Sequence, residues 1–258
     1  DGKMLLRDRI AIVTGAGGGL GSTFAKKMAQ EGATIVLTDI NLEVLQQTIN
    51  MLEEQKCKYD SYILDVTNKQ QVQDTFQCVY EKFGQIDILI NNAGGSLYTP
   101  KELSQIDETH WNLVLDVNLK GTFLCCQAIV PLMAKKNYGR IINVSSIGAR
   151  TASLVTGVAY AAAKGGVISF SRRLAKEIGD YGITVNTIAP GTVLSGSRMI
   201  ETWENMEEED RRDILRSIPL GRLSTAEEQA DVVVFLSSNK SSYITGAVID
   251  VNGGRFMS

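Results

Sequence analysis

Residues 14–21 read TGAGGGLG and lie between the apolar run Ile10-Ala11-Ile12-Val13 and a helix-like stretch over 20–31. A glycine loop that joins a strand to a helix is a cradle for a dinucleotide. Gly15 can take backbone angles closed to other residues, Gly19 lets the main chain approach a pyrophosphate, and Gly21 lets helix and strand pack closely. The helix N-terminus then turns its unpaired N–H groups and the positive end of its dipole toward the phosphates. Asp39 ends the next apolar run, 33–38, at roughly the 20-residue distance where a carboxylate can accept the adenosine ribose hydroxyls.

Further apolar, β-rich runs occur at 34–37, 61–64, 86–90, 140–144, 183–188 and 247–251. Helical patterns separate them; Val72, Phe76, Val79 and Phe83, for example, form one stripe able to face a sheet. Alternating strands and helices imply parallel pairing through right-handed crossovers, and continuously apolar strands imply a sheet covered on both faces. The pattern predicts an α/β fold, a three-layer doubly wound sandwich with a mostly seven-stranded parallel sheet. The 258 residues show no Pro/Ser-rich linker or composition break, so one domain over 1–258 is expected, with residues 1–4 outside the fold.

A net charge of −3 with scattered cations offers no basic stripe for nucleic acid. Cys57, Cys78, Cys125 and Cys126 show no CxxC spacing and read as reduced thiols of a cytoplasmic protein. No apolar stretch reaches the roughly 18 residues of a membrane span, and the first residues lack the apolar centre of a signal peptide. His110 is the only histidine. No metal site and no Ser-His relay are therefore expected, and His110 reads as a surface or packing residue.

Ligands of doubly wound sheets bind beyond the carboxyl ends of the strands. Here those ends carry Thr14-Gly15, Asp39, Asp65-Val66, Asn91-Asn92-Ala93-Gly94, Ser145-Ser146 and Ala189-Pro190-Gly191. Asp65 reads equally as an adenine contact or as a helix N-cap before Thr67-Asn68, and 91–94 as a ligand contact, a turn, or both.

Taken together, TGAGGGLG, NNAG at 91–94, Asn118 in DVNLKGTF, Ser146 in NVSS, Tyr160-Ala-Ala-Ala-Lys164, Pro190-Gly191 and the closing ITGAVIDVNGG resemble the short-chain dehydrogenases/reductases, over almost the whole chain. The resemblance implies a Rossmann fold and a catalytic set of Asn118, Ser146, Tyr160 and Lys164. It places the dinucleotide against the glycine loop (Gly15, Gly17, Gly19, Leu20, Gly21) and the ends of the second strand (Asp39, Ile40), the third (Asp65, Val66) and the fourth (Asn92, Ala93, Gly94). The sixth strand would add Pro190, Gly191, Val193 and Ser195, with Tyr160 and Lys164 completing the set. It also implies a substrate lid over 194–222 and a homotetramer paired through the helices that carry Asn118 and Tyr160. One departure is that Ser146 lies fourteen residues before Tyr160, one more than is commonest in the family. Ser145 therefore stays a candidate, and the loop 147–159 is expected to differ in shape.

The chemistry follows from the side chains. Tyr160 and Lys164 are one helical turn apart on one face. An ammonium and a positive nicotinamide ring would lower a phenol that titrates near 10 in water. Tyr160 would then take the proton of a secondary alcohol, or return one to an alkoxide. Ser146 would hydrogen-bond the same oxygen, and by resemblance Asn118 would hold a water linking Lys164 to solvent. Gly95, Ser96 and Arg150 are the substrate candidates, with Arg150 as an anchor for an anionic group. The specificity segments 96–104, 147–159 and the lid carry no legible motif.

The expected function is that of an NAD-dependent oxidoreductase acting on a secondary alcohol or its ketone. The alternatives are a 3-oxoacyl-(acyl-carrier-protein) reductase, an activity that usually goes with NADPH, and a dinucleotide-sensing binding protein. The latter should lack the tyrosine or the lysine, and both are present.

Overall fold

The computed structural model describes residues 4–153 and 155–258; the expectation about 1–3 and the part of loop 147–159 formed by Leu154 lie outside the described residues. Seven strands form one sheet: β1 (Ile10–Thr14), β2 (Thr34–Asp39), β3 (Tyr59–Ile63), β4 (Ile88–Asn91), β5 (Gly139–Val144), β6 (Ile183–Pro190) and β7 (Val248–Val251). All pairings are parallel, in the order β3-β2-β1-β4-β5-β6-β7. The order reverses between β1 and β4, and the crevice at that reversal is where such sheets bind ligands.

The helices are α1 (Gly19–Gln30), α2 (Leu42–Glu54), α3 (Lys69–Phe83), α4 (Glu108–Leu115), α5 (Gly121–Ala134), α6 (Val158–Ile178), α7 (Ser197–Glu204), α8 (Glu208–Arg216) and α9 (Ala226–Ser237). One face of the sheet packs on α1, α2 and α9 through Phe24, Met28, Leu45, Leu52, Val233 and Leu236. The other packs on α3, α5 and α6 through Val72, Phe76, Val79, Cys126, Ile129 and Ile178. Val72, Phe76 and Val79 are fully buried, as their spacing requires of a stripe pressed on a sheet. The central strands β1, β4, β5 and β6 are buried along their whole length, the mark of a sheet covered on both faces.

Two local expectations are corrected. The α3 N-cap is Asn68, whose Oδ1 accepts the Gln71 N–H at 3.1 Å. Asp65 instead accepts the Thr67 N–H and hydroxyl at 2.9 and 2.7 Å, because a short acidic side chain closes a turn two residues on as readily as it caps a helix. Secondly, α4, a π-turn over Asp116–Lys120 and α5 run on as one helix, Glu108–Ala134. It is 27 residues long, and its most apolar 18-residue window, at a mean hydropathy of 1.5, does meet the length and composition of a membrane span. The polar residues Asp116, Asn118 and Lys120 break the apolar run in the sequence without breaking the helix. Of its apolar window 44% is buried inside the fold, chiefly against the sheet.

Candidate active site

The glycine loop takes its shape from its neighbours. Gly15 and Gly19 have φ of +61° and +56°, a region that L side chains avoid. A Cβ on Gly21 would meet the Gly15 carbonyl oxygen at 2.1 Å, so this position keeps α1 against β1. The loop is pinned from β4: Thr14 Oγ1 accepts the N–H groups of Asn92 and Ala93 at 3.1 and 3.0 Å, and Asn92 Nδ2 donates to the carbonyls of Thr14 and Gly15 at 3.1 and 3.0 Å. Residues 91–94 are thus a clamp on the loop as well as a turn. Asn91 faces inward, donating to Asn143 Oδ1 at 2.8 Å and to Cys126 Sγ at 3.3 Å.

Beyond the strand ends lies a cavity of about 610 Å³. The structure brings to it Gly15, Gly19, Leu20, Asp39, Ile40, Asp65, Val66, Asn92, Ala93, Gly94, Gly95, Ser96, Ser146, Tyr160, Lys164, Pro190, Gly191, Val193 and Ser195. Gly17, Gly21 and Asn118 stand behind its wall. Gly17 donates its N–H to Asp39 Oδ2 at 2.9 Å, and Asp39 Oδ1 accepts the Asn41 N–H at 3.0 Å. Asp39 is not the cap of α2; Asn41 is, accepting from Glu43 and Val44.

A dinucleotide fits the chemistry of this wall. The N-terminus of α1 begins at Gly18 with no side-chain cap and no acidic residue in its first turn, leaving its N–H groups for an anion. Thr192, also on the cavity wall, has a buried hydroxyl with no partner among the described residues. Lys164 is 3% exposed, and its Nζ donates to the Val144 carbonyl at 2.7 Å. Two of its three donors are left for ligand hydroxyls.

Tyr160 and Lys164 share a face of α6, with Nζ 5.6 Å from the centre of the phenol ring. Burial raises the Tyr160 phenol above its ordinary range, and the Arg198 guanidinium and the Ser146 hydroxyl pull it back only in part. The expectation of a lowered phenol included a positive nicotinamide ring; in the protein alone the phenol is raised. Lys164 is itself desolvated, down to about 8, so in the protein alone burial outweighs the neighbouring cation. Ser146 and Tyr160 make no hydrogen bond of ordinary geometry here. Ser146 Oγ instead accepts the Gly148 N–H at 3.1 Å, and such contacts commonly tighten only on substrate. Ser145 is spent elsewhere, donating to the Lys164 carbonyl at 2.9 Å from a buried position.

Asn118 lies in the π-turn between α4 and α5 and is fully buried. Its amide binds the Gly95 backbone twice, accepting from N–H at 2.8 Å and donating to the carbonyl at 2.9 Å, and also donates to the Val114 carbonyl at 2.8 Å. It thereby fixes the segment that carries Gly95 and Ser96.

Arg150 does not reach the cavity. It pairs with Asp250 of β7 through Nε–Oδ1 and Nη2–Oδ2, both 3.0 Å, and stacks on Phe256 at 4.6 Å. A planar fork matched to a carboxylate within the fold is not free for one on a ligand. Arg150→Ala should therefore leave the Michaelis constant of any substrate within about twofold. It should lower stability by about 1–3 kcal/mol, because Asp250 loses its partner in a largely buried setting. A urea titration reads this as a lower midpoint with an unchanged slope.

Sequence reasoning missed Arg198 and Thr192. Arg198, in the first turn of α7, lines the cavity and donates to Ser96 Oγ at 3.2 Å. Its only signal in the sequence is a lone cation shortly after Ser195, within a stretch expected to be lid.

A glycine cradle at the sheet's reversal point, an acidic second-strand end, and a serine, a tyrosine and a buried lysine thus meet in one cavity. The model of a protein family described as enoyl-(acyl carrier protein) reductase matches residues 15–255. The chain belongs to the short-chain dehydrogenase/reductase family. This short-chain dehydrogenase/reductase is 40% identical to the 3-oxoacyl-(acyl-carrier-protein) reductase FabG of Thermotoga maritima over 254 residues, 97% of this chain and 99% of that one. It is 34% identical over 252 residues to the (2S)-((R)-hydroxy(phenyl)methyl)succinyl-CoA dehydrogenase subunit BbsD of Thauera aromatica, covering 98% of each. The crystal structure of levodione reductase superposes with a TM-score of 0.90 at 30% identity, over 97% of this chain and 98% of that one. The protein is accordingly an oxidoreductase of a family that uses nicotinamide dinucleotides.

Proposed function

We propose that this enzyme interconverts a secondary alcohol and its ketone with NAD, using Tyr160 as general acid/base. The observation that carries the reading is the meeting of Ser146, Tyr160 and Lys164 in the cavity that the glycine loop and Asp39 also line. The α1 N-terminus, Asp39, the ends of β3 and β4 and residues 190–195 would hold the dinucleotide, which would supply hydride chemistry at the reacting carbon. Ser146 hydrogen-bonds the substrate oxygen and holds it by the phenol. Tyr160 removes or returns the hydroxyl proton. Lys164 orients ribose hydroxyls with its two free donors and passes protons outward, with Asn118 supporting that path from behind Gly95. Residues 4–258 act as one Rossmann unit, and 194–222, which contains α7 and α8, serves as the substrate lid.

A second reading, reduction of a 3-oxoacyl thioester with NADPH, draws on the names of the FabG relatives. Asp39 at the end of β2 weighs against it. The test is a turnover screen with both dinucleotides against simple ketones, secondary alcohols and a 3-oxoacyl thioester. Turnover with NAD or NADH on ketone and alcohol supports the first reading, and thioester reduction confined to NADPH supports the second. Absence of any turnover, with dinucleotide binding intact, would turn the reading toward a sensor.

The assembly proposed is a homotetramer of cytoplasmic enzyme. Phe123 of α5 is 41% exposed and stacks edge-on against Phe170 of α6, with ring centres 6.3 Å apart. An apolar pair displayed on two adjacent helices suits a helix-to-helix interface between copies. Four unbridged cysteines suit a reducing compartment. Light scattering at micromolar concentration should return four times the 28.1 kDa chain mass; a monomer mass would refute the assembly.

A further inference from the structure

Charge in the cavity is divided along the sheet. Its two carboxylates, Asp39 and Asp65, stand at the ends of β2 and β3, and its two cations, Lys164 and Arg198, on the side of β4, β5 and β6 where Ser146 and Tyr160 lie. Lys164 is tied to the Val144 carbonyl beside the phenol, and its two remaining donors are assigned above to ribose hydroxyls. Arg198 is not committed. It forms no salt bridge among the described residues, and of its five donors only Nη1 finds a side-chain partner there, the neutral Ser96 hydroxyl at 3.2 Å.

Arg198 also lines a second cavity with Gly18, Gly19 and Ser195, but its guanidinium is turned toward the segment after β4. The α1 N-terminus faces Ser195, whose carbonyl would lie 3.5 Å from a Cβ on Gly19. Arg198 reaches the other way, across the cleft. It lies against Gly95, where a Cβ would come within 2.6 Å of Nη2, and its guanidinium carbon is 5.9 Å from the centre of the Tyr98 ring. It bridges the lid helix α7 and the segment after β4 that Asn118 fixes from behind. The cavity wall around it is otherwise apolar or neutral: Leu97, Leu113, Ile147, Val155 and Met199. A half-buried guanidinium without an acidic partner, set in such a wall, is a receptor for an oxyanion, since its planar fork matches a carboxylate bidentately.

We propose that Arg198 is a specificity residue that binds a carboxylate on the substrate, so that this enzyme prefers small hydroxy and oxo acids to neutral alcohols and ketones. The proposal rests on the oxidoreductase reading above for the role of Tyr160, but not for the binding of the anion. It also separates this enzyme from a thioester reductase, because a 3-oxoacyl thioester carries no charge beside its reacting carbon. The favourable field that Arg198 exerts on the phenol has a chemical consequence. Binding an anion there partly cancels that field, which keeps Tyr160 protonated and ready to donate in the reductive direction.

The test uses two matched pairs, acetoacetate with ethyl acetoacetate and levulinate with methyl levulinate, on the parent and on Arg198→Met and Arg198→Lys. Calorimetric titration in the presence of dinucleotide reads binding without turnover, and initial rates read kcat and KM. The parent should favour each acid over its ester by at least about tenfold, the worth of a charge-assisted hydrogen-bonded pair. Arg198→Met should abolish that preference, chiefly through KM, and Arg198→Lys should restore part of it. An equal preference in parent and Arg198→Met would overturn the proposal. So would a weakened dinucleotide affinity in Arg198→Met with the acid-to-ester ratio intact, which would make the residue a phosphate ligand. If no ketone turns over but calorimetry shows the acid preference and its loss, the anion site stands and the oxidoreductase reading alone fails.

Discussion

Tyr160→Phe should reduce turnover by roughly a hundredfold to ten-thousandfold, the range expected on losing a positioned general acid/base, while dinucleotide affinity stays within a few-fold of the parent. Removing one hydroxyl leaves the ring, its packing and the approach of Lys164 to the ring face in place, so the loss falls on kcat rather than on folding. The pH profile carries an independent signature. Because burial holds the phenol above its ordinary range, oxidation of an alcohol, which needs the phenolate, should speed up as pH rises toward that elevated value. Reduction, which needs the phenol, should be insensitive to pH over the same neutral range. In Tyr160→Phe the rising limb of oxidation should vanish. A variant with near-parental turnover, or one that keeps the limb, would remove Tyr160 from the chemistry.

The second large effect concerns Asp39. A carboxylate at the end of β2 can accept both ribose hydroxyls of NAD, whereas the 2′-phosphate of NADP would meet it as a like charge, at a cost of about 1–4 kcal/mol at effective dielectrics between protein surface and water. NAD should accordingly be preferred in catalytic efficiency by roughly tenfold to several hundredfold. The hydrogen bond from Gly17 N–H to Asp39 Oδ2 shapes the choice of variant. Asp39→Ala strips the loop of that acceptor and should weaken both dinucleotides, while Asp39→Asn removes the charge and the acceptor of the Asn41 N–H but keeps an oxygen for Gly17. The NAD-to-NADP ratio should fall by at least about tenfold in Asp39→Asn. A parent that uses both dinucleotides equally, or a ratio unmoved by the substitution, would show that Asp39 serves the loop alone.

The fold was legible because its signals are local and repeated. The central strands are apolar runs, with the edge strand β3 (YDSYI) the exception, most strands are followed by a helix stripe such as Val72, Phe76 and Val79, and the glycine loop marks the reversal of strand order. The residues beyond the strand ends were legible for the same reason, since topology alone puts Asp39, Asn92, Ser146 and Pro190 at one edge. What escaped was the pairing of long polar side chains. Arg150 and Arg198 both stand near proposed catalytic groups in sequence or in space, and nothing in one chain says which finds a carboxylate inside the fold. Arg150 meets Asp250, a hundred residues away, and so the cation that remains for the cavity is the one from α7. Hydrogen bonding of Asp65 escaped similarly, because a turn closed at Thr67 and a helix capped at Asn68 demand the same residue types.

The π-turn over Asp116–Lys120 makes the length of its segment as binding as its chemistry. One residue beyond a regular α turn rotates everything downstream by about 100° about the helix axis, and that rotation presents Cys126, Ile129 and Met133 of α5 to the sheet while Asn118 faces Gly95. Deleting a single residue there would close the turn into a regular α-helix with α5 still in phase on the sheet but Asn118 displaced from Gly95, whereas a deletion elsewhere in the helix would swing the apolar face of α5 off the sheet. The loop between Ser146 and Tyr160, which joins a strand to a helix across the cavity mouth, is under no such constraint. Gaps in aligned relatives should therefore collect between 147 and 157, and within 108–134 should be confined to a single residue at the π-turn, so that substrate range diversifies by changes of loop length while α5 keeps its register on the sheet.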